Sequence, residues 1–195
     1  MNSASADPQR LLCLAQAGDR AALGHLLELY RAYLDLLARL QIGRRLQGKV
    51  DAADLVQDTF LHAAQGFGRF RGTTEEELAG WLRHILAARL SDLLRRFLGT
   101  QRRAVHLERE LAGELDASSR VLDRGLVVRL SSPSQHAARR EQALLLANAL
   151  QQLPADYREV LVLRHLEECS FPDVAQRMGR TVDGVKKLWA RALAR

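Results

Sequence analysis

Residues 170–195 read SFPDVAQRMGRTVDGVKKLWARALAR and decide the fold of the C-terminal part of the chain. Ser170 and Asp173 have the spacing of a capping box, and Pro172 lies in a first turn, where its missing N–H is harmless. A second short helix follows the turn at Gly179. Two short helices joined by a tight, glycine-containing turn are typical of a helix-turn-helix. The stretch therefore predicts this motif.

The second helix of this stretch has an apolar side and a polar side, at about 100° per residue. Lys187 and Arg191 on the polar side can reach base edges of duplex DNA, and Lys186 and Arg180 can contact phosphates. An amphipathic helix with a solvated basic face is the alternative interpretation. The apolar side consists of Val182, Val185, Trp189, Ala192 and Leu193. The predicted DNA surface consists of Arg180, Thr181, Asp183, Gly184, Lys186, Lys187 and Arg191.

The composition of the whole chain is consistent with a DNA-binding role. Its 195 residues carry 29 Lys+Arg against 23 Asp+Glu, a net charge of +6 and a pI of about 10.0. Such a balance favours a polyanionic partner, although a merely soluble, arginine-rich surface is the alternative. The two cysteines form no motif, which favours a reducing compartment. No apolar run approaches the ~18 residues of a membrane span, and the N-terminus is polar, so we expect a cytoplasmic protein without membrane insertion.

Nearly every other segment also reads as helix, which predicts an all-α protein of two small domains. Proline is scarce, with four residues in the chain, and good helix formers dominate. One helix is predicted from Asp19 to near Gly43. The apolar pattern weakens over 99–132, where only a short helix around 104–115 is indicated. The predicted organisation is a domain over 1–98, a linker over 99–138 and a domain over 139–195; a loosely packed extension of one larger domain is the alternative for the linker.

The stretch DAADLVQDTF, residues 51–60, is acidic in an otherwise basic chain. On a helix, Asp51, Asp54 and Asp58 lie within a narrow arc, opposite the apolar stripe. Phosphates would repel this arc, so any partner it binds is a basic protein surface. Two alternatives stay open: Asp51 as a helix N-cap only, and the arc as a solvated face.

The segment from residue 66 to 98 combines aromatic and basic residues. Trp81 lies off the apolar stripe of the helix that follows Thr74, which suggests a stacking surface for an unpaired base. The alternative is that Trp81 packs on a neighbouring helix, and core packing is favoured for Phe70 and Phe67. The candidate residues of this surface are Arg69, Phe70, Arg71, Trp81, His84, Ser91, Asp92 and Arg95.

Two stretches of the chain resemble a known family. DAADLVQDTFLHAAQGFGRFRG followed by WLRHILAARLSDLLRR resembles region 2 of bacterial RNA polymerase sigma factors of the extracytoplasmic-function (ECF) type. LPADYREVLVLRHLEECSFPDVAQRMGRTVDGVKKLWARAL resembles their region 4. The matches cover about residues 10–98 and 139–195, in the order that the family has, without a region 3 domain between them.

The resemblance implies partners and site residues. The helix with Asp54, Gln57 and Asp58, and more weakly Asp51, would dock on the clamp helices of the largest subunit of core RNA polymerase. The loop 66–74 and the next helix, to which the resemblance adds Ala88, would melt the minus-ten element and capture single-stranded bases. The helix 181–195 would read the minus-thirty-five element as duplex. The polymerase flap and an anti-sigma protein are further implied partners.

Three other functions account for less of the sequence. A dimeric helix-turn-helix regulator leaves the acidic helix and the Trp81 surface unexplained, and an adaptor that binds only polymerase leaves the basic helix without a purpose. An enzyme is disfavoured because no HExxH motif or glycine-rich phosphate loop occurs and the histidines are scattered. We therefore expect a non-enzymatic initiation factor without a cofactor or a metal.

Overall fold

A computed structural model describes residues 7–45, 51–98, 104–123 and 136–195. Within these ranges the chain folds into ten α-helices, one short 3-10 turn and one π-helix, and it contains no strand. The predicted all-α class is confirmed. Among the same residues, none of the helices combines the length and the apolarity that a membrane crossing requires.

Five helices form the N-terminal part of the molecule. They are α1 (Pro8–Gln16), α2 (Arg20–Leu29), α3 (Arg31–Arg45), α4 (Ala52–Gly66) and α5 (Glu75–Leu98). Helix α5 begins directly after Thr74, as the sequence predicts. Helix α5 is the central element, because it packs against α1, α3, α4 and two helices further along the chain.

The predicted single helix from Asp19 to near Gly43 is interrupted at Tyr30. The Tyr30 amide donates to the carbonyl of Leu27 at 3.0 Å, a three-residue spacing that tightens the last turn of α2. The Tyr30 ring is fully buried, and its hydroxyl donates to the carbonyl of Glu75 at 3.4 Å. Tertiary packing of one aromatic side chain thus accompanies a break that the helical pattern does not indicate.

The structure differs from the predicted linker over 104–123. These residues form the 20-residue helix α6 (Ala104–Asp123), longer than the expected short helix. Leu111, Leu115 and Leu122 are fully buried, and α6 packs against α5, α3 and the next helix. The remainder of the predicted linker, except for 136–138, lies outside the described residues.

The C-terminal part contains the predicted helix-turn-helix. It comprises α7 (His136–Gln152), α8 (Ala155–Leu161), a π-helix (Val162–Leu166), α9 (Phe171–Arg177) and α10 (Val182–Leu193). The capping box of α9 is formed as predicted, and the Ser170 hydroxyl lowers the pKa of Asp173. Gly179, between α9 and α10, has a φ of +62°, a left-handed conformation that suits glycine.

Candidate protein and nucleic-acid interfaces

Helix α4 separates its apolar and acidic residues cleanly. Its buried side consists of Ala52, Leu55, Val56, Thr59, Phe60 and Ala63. The exposed side, which we call the acidic face, carries Asp51, Asp54, Gln57 and Asp58. The helical pattern predicts this arrangement. The acidic face therefore presents carboxylates to a partner without any rearrangement of the helix.

Two residues of the acidic face also have structural contacts. Asp51 is the N-cap of α4, because its carboxylate accepts a hydrogen bond from the Ala53 amide at 2.9 Å. Asp58 lies 3.3 Å from His62 Nδ1, and the other ring nitrogen of His62 contacts Arg89 on α5 at 3.1 Å. Asp54 and Gln57 are exposed, and among the described residues their side chains form no hydrogen bond or ion pair. Asp54 is therefore the carboxylate of the acidic face that has no hydrogen-bond or ion-pair partner among the described residues.

The loop between α4 and α5 is fixed by hydrogen bonds from three directions. Gln9 and Gln16 on α1 donate to the carbonyls of Thr73 and Gly72, at 2.8 and 2.7 Å. The Glu77 carboxylate accepts the Thr73 amide at 2.7 Å, and this bond and those from Thr74 lower the pKa of Glu77. Helix α1 thus holds the segment that carries Arg69, Phe70 and Arg71.

Gly72 allows this loop to pass close to its neighbours. A Cβ at Gly72 would overlap the Phe70 ring and would lie 2.8 Å from Cβ of Glu77. The Arg71 guanidinium donates to the Gly68 carbonyl at 2.8 Å, while the Arg69 side chain is exposed. The loop is therefore compact. Arg69 and Arg71 are both exposed, and Arg71 is held by its hydrogen bond to Gly68.

The aromatic residues of this region pack on one another. Phe67 and Phe70 are buried, at 7% and 9% exposure. The centroid of the Trp81 ring lies 5.0 Å from that of Phe70 and 6.1 Å from that of Phe67. The expected core packing of both phenylalanines is confirmed. The assignment of Phe70 to an accessible minus-ten surface is contradicted by its burial, and Trp81 is half-buried rather than free.

The remaining predicted residues of α5 differ in accessibility. His84 is exposed, and Ala88 and Arg95 are partly exposed. Ser91 is only 1% exposed, so its expected position on the accessible face is wrong. Its burial follows from the neighbours of α5, which cover more than the apolar stripe. Asp92 forms ion pairs with Arg89, at 2.7 Å, and with Arg95.

Helix α10 begins at a cap that involves two predicted DNA-contacting residues. The Thr181 hydroxyl accepts the Gly184 amide at 3.1 Å. A Cβ at Gly184 would lie 3.0 Å from that hydroxyl oxygen, so glycine allows the cap to close tightly. Beyond the cap, Asp183, Lys186, Lys187, Ala190 and Arg191 are exposed on the predicted polar side. The predicted polar side of the helix is thus accessible.

Aromatic and ionic contacts anchor α10 to the rest of the C-terminal part. The Trp189 indole donates to Nε2 of His165 at 2.9 Å, and the Phe171 ring meets Trp189 edge-on at 5.6 Å. Arg180 is paired with Asp156 of α8 at 2.5 Å, so the guanidinium predicted to contact phosphate already has a partner. Val182 and Leu193, predicted on the buried side, are 36% and 43% exposed.

Sequence reasoning missed a polar network between α3, α5 and α6. Arg83 Nε lies 2.6 Å from Asp116, and Arg83 also donates to the Tyr33 hydroxyl at 2.9 Å. Tyr33 in turn donates to Ser119 at 2.8 Å. The signal that could have located α6 is the helical spacing of Leu111, Leu115, Ser119 and Leu122.

In the four described ranges, no group of three or more His, Cys, Asp or Glu side chains is placed to hold a metal ion. The exposed surfaces that stand out are instead a helix with accessible carboxylates and a helix with accessible basic residues. Both are suited to macromolecular partners.

Comparisons with known proteins place these surfaces in a family. Residues 29–97 match Sigma-70 region 2, and residues 143–195 match Sigma-70 region 4. The first range contains the acidic face and the Trp81 region, and the second contains α8, α9 and α10. These matches are characteristic of transcription initiation factors.

Three curated relatives are similar over most of the chain. An ECF RNA polymerase sigma factor of Mycobacterium tuberculosis, SigM, is 30% identical over 95% of this chain and 80% of its own. An RNA polymerase sigma-E factor of Streptomyces antibioticus is 32% identical over 86% of this chain and 80% of its own. The ECF sigma factor BldN of Streptomyces coelicolor is 30% identical over 98% of this chain and 65% of its own. The chain belongs to the ECF group of the sigma-70 family. It is an RNA polymerase sigma factor that directs promoter-specific transcription, with core RNA polymerase and promoter DNA as partners.

Proposed function

We propose that this sigma factor divides its task among three surfaces. The acidic face of α4 binds a basic surface of core RNA polymerase, the clamp helices of the largest subunit. The polar side of α10 reads the minus-thirty-five element as duplex DNA. The loop before α5 and the accessible side of α5 capture single-stranded bases of the minus-ten element and so help to open the duplex.

The separation of charge between α4 and α10 carries this proposal. Asp54 and Asp58 are exposed on a helix of a chain whose net charge is +6. Phosphates would repel that helix, whereas a basic protein surface would be attracted to it. Lys187 and Arg191 are exposed on one side of α10, and paired donors at such spacing suit base edges in a major groove.

The minus-ten surface that we propose is narrower than the one predicted from sequence. It consists of the accessible residues Arg69, Arg71, Trp81, His84, Ala88 and Arg95. Unpairing a base costs a few kcal/mol, and stacking on an aromatic ring recovers about 1–3 kcal/mol per base. Asp92 holds Arg89 and Arg95 in place. The Trp81 ring is partly exposed, so a local side-chain movement is enough to expose its face to a base.

The factor acts by binding and requires no covalent chemistry of its own. Because the cationic residues of α10 displace counterions from duplex DNA, promoter affinity should fall steeply with salt. We place the protein in the cytoplasm with the polymerase that it serves. We also retain the division into an N-terminal polymerase-binding domain and a C-terminal minus-thirty-five domain, with the boundary after α6 rather than at residue 98.

Binding to purified core RNA polymerase tests the proposal directly. The charge-reversed variant Asp54→Arg/Asp58→Arg should lose stoichiometric binding that the wild type shows, because two attractive contacts become repulsive. The matched control is Glu108→Arg/Glu141→Arg, which reverses two exposed carboxylates on α6 and α7. The control should bind like the wild type.

Two results would contradict the proposal in different ways. Equal loss in both variants would indicate a general charge effect and not a docking face. Absence of binding by the folded wild-type protein would remove the polymerase from the proposal, and symmetric half-site binding by a dimer would then support a stand-alone regulator.

A further inference from the structure

Helix α1 lies outside both segments that match the sigma-70 regions. The region 2 match begins at residue 29, whereas α1 spans Pro8–Gln16. Two of its side chains nevertheless bond to the loop between α4 and α5, which carries part of the proposed minus-ten surface. The region 2 match therefore does not account for what this helix does.

The two side chains are glutamines on one side of α1. Gln9 and Gln16 are seven residues apart, which is two helical turns, so they share a face about 10 Å apart along the axis. Their amides converge on neighbouring carbonyls: Gln9 donates to Thr73 at 2.8 Å and Gln16 to Gly72 at 2.7 Å. One hydrogen bond would let the loop pivot, whereas two bonds from separate points fix both its position and its rotation.

These bonds bear on the loop because a cavity separates it from the turn between α1 and α2. The cavity has a volume of about 470 Å³, with Gln16 and Leu23 on one wall and Gly68, Phe70 and Arg71 on the other. Side-chain packing therefore does not press the loop against this turn. Among the residues that the structure describes, the two glutamine amides make the only hydrogen bonds between α1 and the loop.

The other bonds of the loop fix its local shape and not its position relative to α1. The Glu77 carboxylate accepts the amides of Thr73 and Thr74, which ties the loop to the start of α5. Gly72, whose carbonyl Gln16 holds, packs so closely on the Phe70 ring that a Cβ would overlap it. The Phe70 ring lies 5.0 Å from that of Trp81. A shift at Gly72 therefore reaches the aromatic cluster.

We propose that Gln9 and Gln16 are positioning residues for minus-ten recognition. They place the loop, and through Gly72 and Phe70 the Trp81 ring, where an unpaired base is captured, without contacting DNA themselves. They thereby set how strictly the minus-ten surface discriminates between bases. The effect on base selection rests on the proposed function, whereas the hold of α1 on the loop does not.

Hydrogen exchange in the free, full-length protein tests that hold. Gln9→Met/Gln16→Met keeps unbranched side chains of good helix propensity at two exposed positions and removes both donors. The amides of Phe70 and Thr73, bonded to Phe67 and Glu77, should exchange about tenfold faster in this variant, because two modest bonds are lost.

Two further variants make the exchange result specific. Gln65→Met/Gln142→Met makes the same change at two exposed positions outside α1 and should exchange like the wild type. Gln9→Lys/Gln16→Lys supplies donors again and should restore slow exchange. If the double methionine variant does not fold, Gln16→Met alone should act in the same direction. Unchanged exchange in both methionine variants of α1 would overturn the hold.

Base selection by the holoenzyme tests the positioning role. Core polymerase with each variant is offered promoters randomised over the minus-ten element, and templates in heparin-resistant open complexes are sequenced. Gln9→Met/Gln16→Met should lower the enrichment of the preferred bases about fivefold, while binding to core polymerase and to a minus-thirty-five duplex stays unchanged. A merely structural role would lower opening on all templates alike, so unchanged enrichment would overturn the proposal.

The two measurements separate this inference from the proposed function. A wild-type holoenzyme that enriches no minus-ten base would refute the proposed minus-ten function, and the positioning role with it. Faster exchange in the free variant would still support the hold of α1 on the loop in that case. Normal enrichment by the wild type and by the loosened variant would leave the proposed function standing and refute the positioning role alone.

Discussion

The two predicted DNA surfaces of this sigma factor differ in how far they are ready to bind. On α10, Lys187 and Arg191 are exposed, and within the described chain no ion pair involves either side chain. Around α5, Trp81 packs on Phe70, Asp92 is paired twice, and Ser91 is buried. The proposed duplex-reading surface is thus preformed, whereas the proposed single-strand surface is partly occupied by its own side chains.

The difference has a physical reason in the form of DNA that each surface is proposed to bind. A duplex offers its base edges without rearrangement, so a rigid helix can read it directly. An unpaired base needs an apolar stacking surface, and such a surface tends to pack against other apolar groups when no base is present. The aromatic cluster of Phe67, Phe70 and Trp81 illustrates this second case.

The largest expected effect concerns the preformed surface. Lys187→Ala/Arg191→Ala should weaken binding to a minus-thirty-five duplex about 100-fold, since each base contact contributes about 1–3 kcal/mol. Fluorescence anisotropy at fixed salt measures this affinity. Arg120→Ala, an exposed change on α6, is the control and should leave binding unchanged. Equal weakening by both variants would indicate that the basic side of α10 is solvated and does not contact base edges.

A smaller effect is expected from the half-buried tryptophan. Trp81→Ala should reduce open-complex formation about 10-fold, because one stacking partner is lost, and should lower the free energy of unfolding by about 2 kcal/mol, since the cluster loses packing. Trp81→Phe keeps a ring and should retain most of both properties. Permanganate footprinting and thermal unfolding are the measurements. Loss of stability without loss of opening would assign Trp81 to the core alone.

A pH effect should distinguish the anchor of α10 from its DNA-binding side. Burial, and then the charge of Arg164, lower the pKa of His165 below 6.5. The folded protein therefore binds fewer protons at this site, so stability is full above pH 6.5 and is lost as the pH falls through the lowered pKa. His165→Gln keeps an acceptor for the Trp189 indole and should flatten this dependence. Circular-dichroism melts between pH 5 and 7.5 measure the pH dependence of stability. If the variant shows the same dependence as the wild type, His165 is not the group responsible.

The smallest effect is expected at Ser91. Its hydroxyl is buried and has no hydrogen-bond partner among the described residues, so Ser91→Ala should be neutral or stabilise the fold by about 1 kcal/mol. Open-complex formation should not change, whereas Arg95→Ala should weaken it because Arg95 is accessible. A loss of opening in the serine variant would restore Ser91 to the DNA-binding surface and narrow the contrast with α10.

The sequence by itself determined the features that depend on one helix at a time. Helical periodicity places Asp54 and Asp58 opposite the apolar stripe of α4, and it places Lys187 opposite Val185 on α10. Capping residues and glycine mark where α9 and α10 begin and end. Each of these features follows from about 100° of rotation per residue and from local hydrogen bonding, so no knowledge of neighbouring helices is needed.

The tertiary structure alone decided which polar residues are covered and which are free. A helical wheel gives the direction of Ser91 but not the elements that surround α5. It also gives no partner for Arg83, whose contacts Tyr33 and Asp116 lie on α3 and α6. The position of α6 and the break at Tyr30 were missed for the same reason. Contacts between residues distant in sequence depend on the packing of whole helices, and periodicity within one helix carries no information about them.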